Sequence, residues 1–367
     1  MKRQVIPLLI LSFYRLTLAG QDFESNSSFH LYASTTVETW SLLDGGLGSG
    51  TRSRGLFDLG ADFELSEQTK GNFNILVFDG DRDVDAFTGN LGVYSNIITD
   101  SNVILFTAWF EHNFGNKSIR FRQLASDERF YASASGALFI NGNFGAIPTV
   151  SANVSAPVFS VGSAGVEWLQ EVNSGYWQTG VYAGYPGPGD LDDHGLKWKA
   201  GGVAEYFFIA ERGWNYQAEG KQTGVFKIGT YYHSGSFESF TQAENVKGNH
   251  AFYAILDHAI GDSASVFSRI GVNPKSNRSA VTRYFDLGIN LNGLIESRPD
   301  DTFGIAYSRT RFSSEEAKRP DEEVFEITYA ANIAATWSVQ PSLQWILDTR
   351  KTTKDVLVAG IRLTTDF

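Results

Sequence analysis

The segment ILFTAWFEHNF-GN-KSIRFRQLA, residues 104–125, holds the densest group of side chains able to do recognition chemistry. If Phe114 pairs with Lys117 across the Gly115-Asn116 turn, Glu111 lies opposite Arg120 and Trp109 opposite Arg122. All four then point away from the face that carries Ile104, Phe106, Phe110, Ile119 and Phe121. Cross-strand neighbours lie about 5 Å apart, so Glu111 and Arg120 are expected to pair directly. An indole offers a flat apolar surface to a pyranose ring, and carboxylate and guanidinium groups make charge-assisted hydrogen bonds to hydroxyls. The plainer reading is an ion pair that only stiffens a wall.

Other chemistries find less support. The six histidines, His30, His112, His194, His233, His250 and His258, form no HExxH pattern, and no G-x-S-x-G elbow occurs. With no cysteine there is neither a disulfide framework nor a thiolate metal site. DGDRDVDAF places Asp79, Asp81, Asp83 and Asp85 at alternate positions, as a calcium loop begins. Val84 stands where such a loop needs Gly, and Asn90 where it needs Glu, so the EF-hand pattern fails. What remains is a weak calcium candidate set against a solvated acidic loop. The net charge of −11 leaves nothing to neutralise phosphates along a nucleic acid.

The elements that must position the hairpin are strands. The first twenty residues have a secretory signal pattern: Lys2 and Arg3, an apolar run from Val5 to Tyr14, and small residues near Ala19-Gly20. The mature domain is then 21–367, and no later run has the length of a membrane-spanning helix. Sixteen segments of period-two alternation follow, at about 28–40, 54–65, 71–79, 103–114, 117–125, 161–172, 176–185, 202–212, 222–234, 249–260, 265–273, 283–292, 301–312, 323–333, 337–347 and 356–367. Their connections sort by length. The odd-numbered ones are long and polar, and the even-numbered ones are mostly short, with RGWNYQAEGK an exception. An even strand count with loops sorted in this way predicts an all-β fold, a sixteen-stranded antiparallel transmembrane barrel with long extracellular loops and short periplasmic turns. A barrel of that width leaves an aqueous channel. The closing VLVAGIRLTTDF ends on Phe367, an aromatic expected at the membrane interface and a recognition mark for barrel assembly machinery.

Alternation also assigns faces. Phe57, Leu59, Ala61, Phe63 and Leu65 share one face, opposite Asp58, Asp62 and Glu64. Phe226, Ile228 and Tyr232 face lipid, while Lys227, Tyr231 and His233 face inward. The same rule puts Glu205, Asp257, Arg269, Asp286, Glu326, Gln340, Gln344 and Arg362 inside. Arg or Lys on the lipid face at mid-membrane would cost about 2–4 kcal/mol, which accounts for the sorting. A lumen with both charge signs, amides and aromatics suits neutral, hydroxyl-rich solutes better than anions. Residues 126–160 contain the apolar stretch ALFINGNFGAIPTV, odd in a solvated loop. Folding inward, it would bury Leu138, Phe139, Ile140 and Phe144 and constrict the pore.

The chain resembles the carbohydrate-selective porins of Gram-negative outer membranes (the OprB type). The likeness runs in order through RFRQLASDERF, ALFINGNFGAIPT, WQTGVYAGYPG, FKIGTYYHSGSF, VFSRIGVNP, YFDLGINLNGLI, PDDTFGIAYSR, EITYAANIAATWSVQPSLQWIL and VLVAGIRLTTDF. It implies a sixteen-stranded barrel with inward-folded loops and passive uptake of sugars, with outer-membrane lipid and lipopolysaccharide as surroundings. No cofactor and no covalent intermediate are expected. Monomer and homotrimer both remain open. So do a general porin without sugar preference, an outer-membrane barrel enzyme, and a secreted glycan-binding β-protein.

Overall fold

A computed structural model describes residues 28–80, 87–97, 99, 102–186, 194–196, 205–218, 221–316, 320–347 and 354–367. The expected signal segment lies outside them. Sixteen strands follow one another: β1 (Phe29–Asp44), β2 (Thr51–Ser66), β3 (Thr69–Gly80), β4 (Asn102–Asn113), β5 (Lys117–Leu124), β6 (Ser163–Val172), β7 (Gly175–Ala183), β8 (Tyr206–Ala218), β9 (Lys221–Phe237), β10 (Val246–Ile260), β11 (Ala264–Val272), β12 (Val281–Asn292), β13 (Thr302–Phe312), β14 (Glu322–Ala334), β15 (Trp337–Leu347) and β16 (Val356–Asp366). Each pairs antiparallel with its neighbours in sequence, and β1 pairs with β16, so the sheet closes with no free edge.

The physical cause is the alternation itself. In β14, Val324, Glu326 and Thr328 are buried inside while Phe325 and Ile327 stay exposed outside. The outward set around the barrel includes Phe226, Ile228, Tyr232, Phe252, Leu287, Ile305 and Ile361. In water such a belt would be unstable, and in lipid it is the solvated face. Arg212, midway along β8 on the outward parity, has its guanidinium over the rings of Trp177 (5.4 Å) and Trp214 (4.9 Å).

The connections sort by end. Residues 45–50, 81–101, 125–162, 184–205, 238–245, 273–280, 313–321 and 348–355 join strands at one end; at the other, 67–68, 114–116, 173–174, 219–220, 261–263 and 335–336 are turns of two or three residues and 293–301 is the one longer connection. The exception expected at RGWNYQAEGK is not one. β8 continues to Ala218 and β9 begins at Lys221, so most of that stretch is strand.

The seam between β1 and β16 is built with care for space. Glu38 and Arg362 are register partners and bond through Arg362 Nε and Glu38 Oε1 at 2.6 Å. The Trp40 indole lies flat on Gly360, where an added Cβ would come within 2.2 Å of the ring. Only glycine leaves room there.

The apolar core lies inside the barrel, toward the end with the long loops. Residues 126–160 turn inward through three 3-10 turns (Ser126–Glu128, Gly136–Leu138, Gly142–Phe144) and one helical turn, α1 (Pro148–Ser151). Phe130, Tyr131, Ile147 and Val150 pack with Tyr182, Phe207, Tyr231 and Tyr253 from the wall. Phe139, Ile140 and Phe144 join Trp40, Phe267, Val324, Ile346 and Val358. Phe87 and Tyr94, from the connection before β4, complete that second cluster. Burying a Phe, Ile or Val side chain contributes about 1.5–3 kcal/mol, which is what draws so apolar a loop off the surface.

Candidate functional site

A loop inside a barrel carries backbone N–H and C=O groups away from water, and each needs a partner. The inward polar residues supply them. Glu326 accepts from the backbone N–H groups of Ile140 and Asn141, both at 2.9 Å, and from Ser342 Oγ. Asp257 accepts from Ser133 Oγ (2.6 Å) and Ser135 N (3.2 Å). Lys227 Nζ donates to Ala132 O at 2.8 Å, and Tyr231 Oη to Thr149 O at 2.7 Å. Arg269 is fixed by Asp286 (Nε to Oδ2, 2.9 Å) and donates to the carbonyls of Gly145 (2.5 Å) and Asn143 (3.1 Å). The wall also makes steric room. A Cβ at Gly304 would lie 2.6 Å from Leu138, and one at Gly271 would lie 2.2 Å from Thr149 Oγ1.

Five residues expected to line the channel as solute contacts are thus placed differently. Lys227, Tyr231, Asp257, Arg269 and Glu326 face inward but bond to the loop. Parity fixes the face of a side chain and says nothing of what folds over it. Arg362 belongs to the seam, where a second inward segment also meets it: its Nη2 donates to Asn96 Oδ1 at 2.6 Å. Glu205 immediately precedes β8 and accepts from Gly184 N through its carbonyl at 2.8 Å. Asp79 is exposed near the long-loop end of β3. Asp81, Asp83 and Asp85 lie outside the described residues, and among the described residues no group of three metal-binding side chains forms.

The hairpin of β4 and β5 has the expected register, with Trp109 opposite Arg122 and Glu111 opposite Arg120, but a register shift against β3 at Phe106 turns Ile104 and Phe106 inward rather than onto the opposite face expected for them. The direct Glu111–Arg120 pair does not form. Each residue has a second cross-strand neighbour of opposite charge, Lys70 on β3 for Glu111 and Glu167 on β6 for Arg120. The loop adds two more charges. Arg120 bonds Glu167 and Glu128, both at 2.7 Å, while Glu111 bonds Arg129 (2.8 Å) and lies 3.6 Å from Lys70. Arg129 also reaches Glu167 at 3.3 Å. This network ties the start of the loop to the wall. Arg122 stays exposed, with φ at 102°.

Beside the network the lumen wall has a cleft of about 300 Å³, lined by Tyr32, Asp58, Asn72, Asn74, Thr107, Trp109 and Glu128, with Leu76, Phe106 and Phe159 as apolar floor. Asn74 Nδ2 donates to Asp58 (2.5 Å), Asn72 Nδ2 to Asp62 (2.9 Å) and Thr107 Oγ1 to Asn72 Oδ1 (3.0 Å). The Tyr32 hydroxyl accepts from Asn72 (3.1 Å) and Asn74 (3.3 Å). Two buried polar atoms here, Asn74 Oδ1 and Trp109 Nε1, have no partner. The Arg120 guanidinium covers one face of the Trp109 ring at 4.8 Å. Asp58 was legible from alternation as inward. Asn72 and Asn74 carry the same period-two signal in GNFNILVF, whereas nothing in the sequence alone pairs Arg129 with Glu111.

The profile of the family described as carbohydrate-selective porin, OprB family, matches residues 55–367. The chain belongs to that family. The OprB-family barrel is an outer-membrane one, so the long loops described above face outward from the cell and the short turns the periplasm. Porin B of Pseudomonas aeruginosa is 22% identical over 238 residues, covering 52% of each chain. This OprB-family chain thus spans about half the length of that curated relative. A high-pH structure of Pseudomonas putida OprB superposes with a TM-score of 0.84 at 17% identity, covering 93% of this chain and 94% of that one. An engineered Rh. blastica porin gives 0.57 at 11% identity, covering 92% and 100%. These likenesses show the fold, and the family is one of porins.

Proposed function

We propose that the barrel is a passive diffusion channel for mono- or small oligosaccharides, with the cleft at Trp109 as a contact site along the way. The observation that carries this reading is the convergence of Tyr32, Asp58, Asn72, Asn74 and Trp109, with two buried polar atoms left unpartnered. Neutral amides, a hydroxyl and a carboxylate offer donors and acceptors at a sugar's spacing, and the part-buried Trp109 ring offers apolar surface. Unpartnered buried polar atoms are costly, so a ligand hydroxyl that bonds them is stabilised by that difference. The inner loop narrows the lumen and brings solutes against this wall. Glu111 and Arg120 act through the placement of Trp109 and the loop, and the exposed Arg122 meets solutes directly. Passage down a gradient requires no cofactor and no covalent step.

The test is single-channel current of the purified protein in a planar bilayer, titrated with glucose, maltose and sucrose. Saturable block of open steps by a sugar supports a binding site in the channel. Open steps that no sugar blocks, at any concentration, refute sugar selectivity in favour of general diffusion.

A further inference from the structure

The outer surface carries a basic cluster that the channel does not use. Near the extracellular ends of β12 and β13, Arg283, Arg309 and Arg311 lie on the outward parity, in line with Phe285, Leu287, Ile305 and Tyr307 below them. Arg283 and Arg311 are direct register partners on adjacent strands. Like charges in that position repel and destabilise the pair unless an anion lies between them. The protein supplies only part of one. Asp321 is engaged by Arg309 (Nη2 to Oδ2, 2.8 Å) and by the Nε of Arg311 (3.2 Å). Glu323 lies 3.7 Å from Arg309. Arg283 has no ion pair or hydrogen bond among the described residues, and the terminal nitrogens of Arg311 are likewise unengaged there. The Arg309 and Arg311 side chains are about half exposed, at 48% and 49%. A groove of about 280 Å³ runs between them, floored by Ile270, Val272 and Phe285.

We propose that Arg283 and Arg311 bind a phosphate monoester on the outside of the barrel, in the geometry of a phosphorylated glycolipid of the outer leaflet. Two guanidinium forks side by side match the oxygens of a phosphate, and Arg binds phosphate in this bidentate way. The apolar floor, continuous with the lipid-facing belt, receives the upper part of an acyl chain. The site lies at the level where a headgroup meets water, because the arginines stand one and two positions beyond the aromatic and aliphatic residues of their own strands. The inference concerns the outer face and does not depend on what passes through the channel.

The experiment is calorimetric titration of the full-length protein in detergent with diphosphorylated lipid A, dephosphorylated lipid A and inorganic phosphate. The variants are Arg283→Gln, Arg311→Gln and Arg283→Lys, each checked for an unaltered heat-dependent shift in gel mobility so that folding is monitored separately. The wild type is expected to bind the phosphorylated lipid, with affinity falling about tenfold or more in either Gln variant, since a charge-assisted hydrogen bond is lost. Arg283→Lys is expected to fall between them, keeping the charge and losing the fork. Failure of inorganic phosphate to compete assigns the site to an anchored headgroup, whereas competition assigns it to a free phosphoester. Equal binding of dephosphorylated lipid, or unchanged affinity in folded Gln variants, overturns the proposal.

Discussion

Replacing Glu326 with Ala tests whether a single wall carboxylate holds the tip of the inner loop. The backbone N–H groups of Ile140 and Asn141 end on its two oxygens at 2.9 Å, and Ile140, Asn141 and Glu326 are all fully buried. Without the acceptor both groups are left unpaired while the loop stays docked. Each such group costs about 1–3 kcal/mol, hence about 2–6 kcal/mol together. At 1.4 kcal/mol per decade, the ratio of docked to lifted tip falls by roughly one and a half to four powers of ten. Two nearby bonds persist, Asn141 Nδ2 to Gln344 Oε1 at 2.9 Å and Gln340 Nε2 to Leu138 O at 2.7 Å, so the displacement is confined to the tip. The assay pairs single-channel recording with limited chymotrypsin digestion. Glu326→Ala should show larger, noisier open conductance and cleavage after Phe139 or Phe144, both of which are buried in the wild type and should be protected there. Glu326→Gln, which keeps an acceptor without the charge, should fall between. Wild-type conductance, noise and protection in a folded Glu326→Ala protein would refute the idea that the tip is seated by its backbone.

Three further outcomes are expected. Trp109→Ala and Asn74→Ala should weaken sugar block of the current more than they change conductance, and unchanged block in both would remove the cleft from the solute path. Gly304→Val should push Leu138 and Phe139 off the wall and open the channel as Glu326→Ala does, and wild-type conductance would show the seat to be more yielding than its spacing implies. The carboxyl of Asp127, at the start of the loop, is pushed up to about 7 by burial, against the hydrogen bond it accepts from Phe159 N at 2.8 Å. The folded state therefore favours the protonated form. The penalty is absent below an ordinary carboxyl value of 3.8, grows as pH rises, and is complete above about 7. Asp127→Asn, which keeps the acceptor, should raise the apparent melting temperature in detergent at pH 8 and leave it unchanged at pH 4. At about 1.36 kcal/mol per unit the ceiling is ~4 kcal/mol, and the carboxyl's remaining contact with water lowers it. A difference that is the same at both pH values would contradict the assignment.

Much of the fold was legible because two solvents impose it. Lipid outside and water inside force a period of two, and β4 and β5 show how far that reaches: alternation together with the Gly115-Asn116 turn gives the register of Glu111 and Arg120 correctly. The rule weakens where lipid ends. β1 continues to Asp44 and β9 to Phe237, several residues past the apolar alternation, because above the membrane the ladder needs no pattern. The site was less legible. Lys227 and Glu326 read as inward and are inward, yet a loop 90 or more residues earlier in the chain covers both. Nor does alternation give height along the barrel axis, so Asn72 and Asn74 could not be told from any other inward amide. Glu111 and Arg120 exchanged the expected partner for others because a wall residue has two lateral neighbours and, here, a loop in front.

The loop's anchor points have an order in time. Glu211, Lys227, Asp257, Arg269, Ser308, Glu326 and Gln344, on strands from β8 to β15, all follow residues 126–160 in the chain and lie on a wall that exists only once those strands have paired. The segment is therefore translated early and seated late. Until then its apolar side chains lack their final surroundings. A wall that must be complete before the loop can seat ties the loop's final packing to barrel closure.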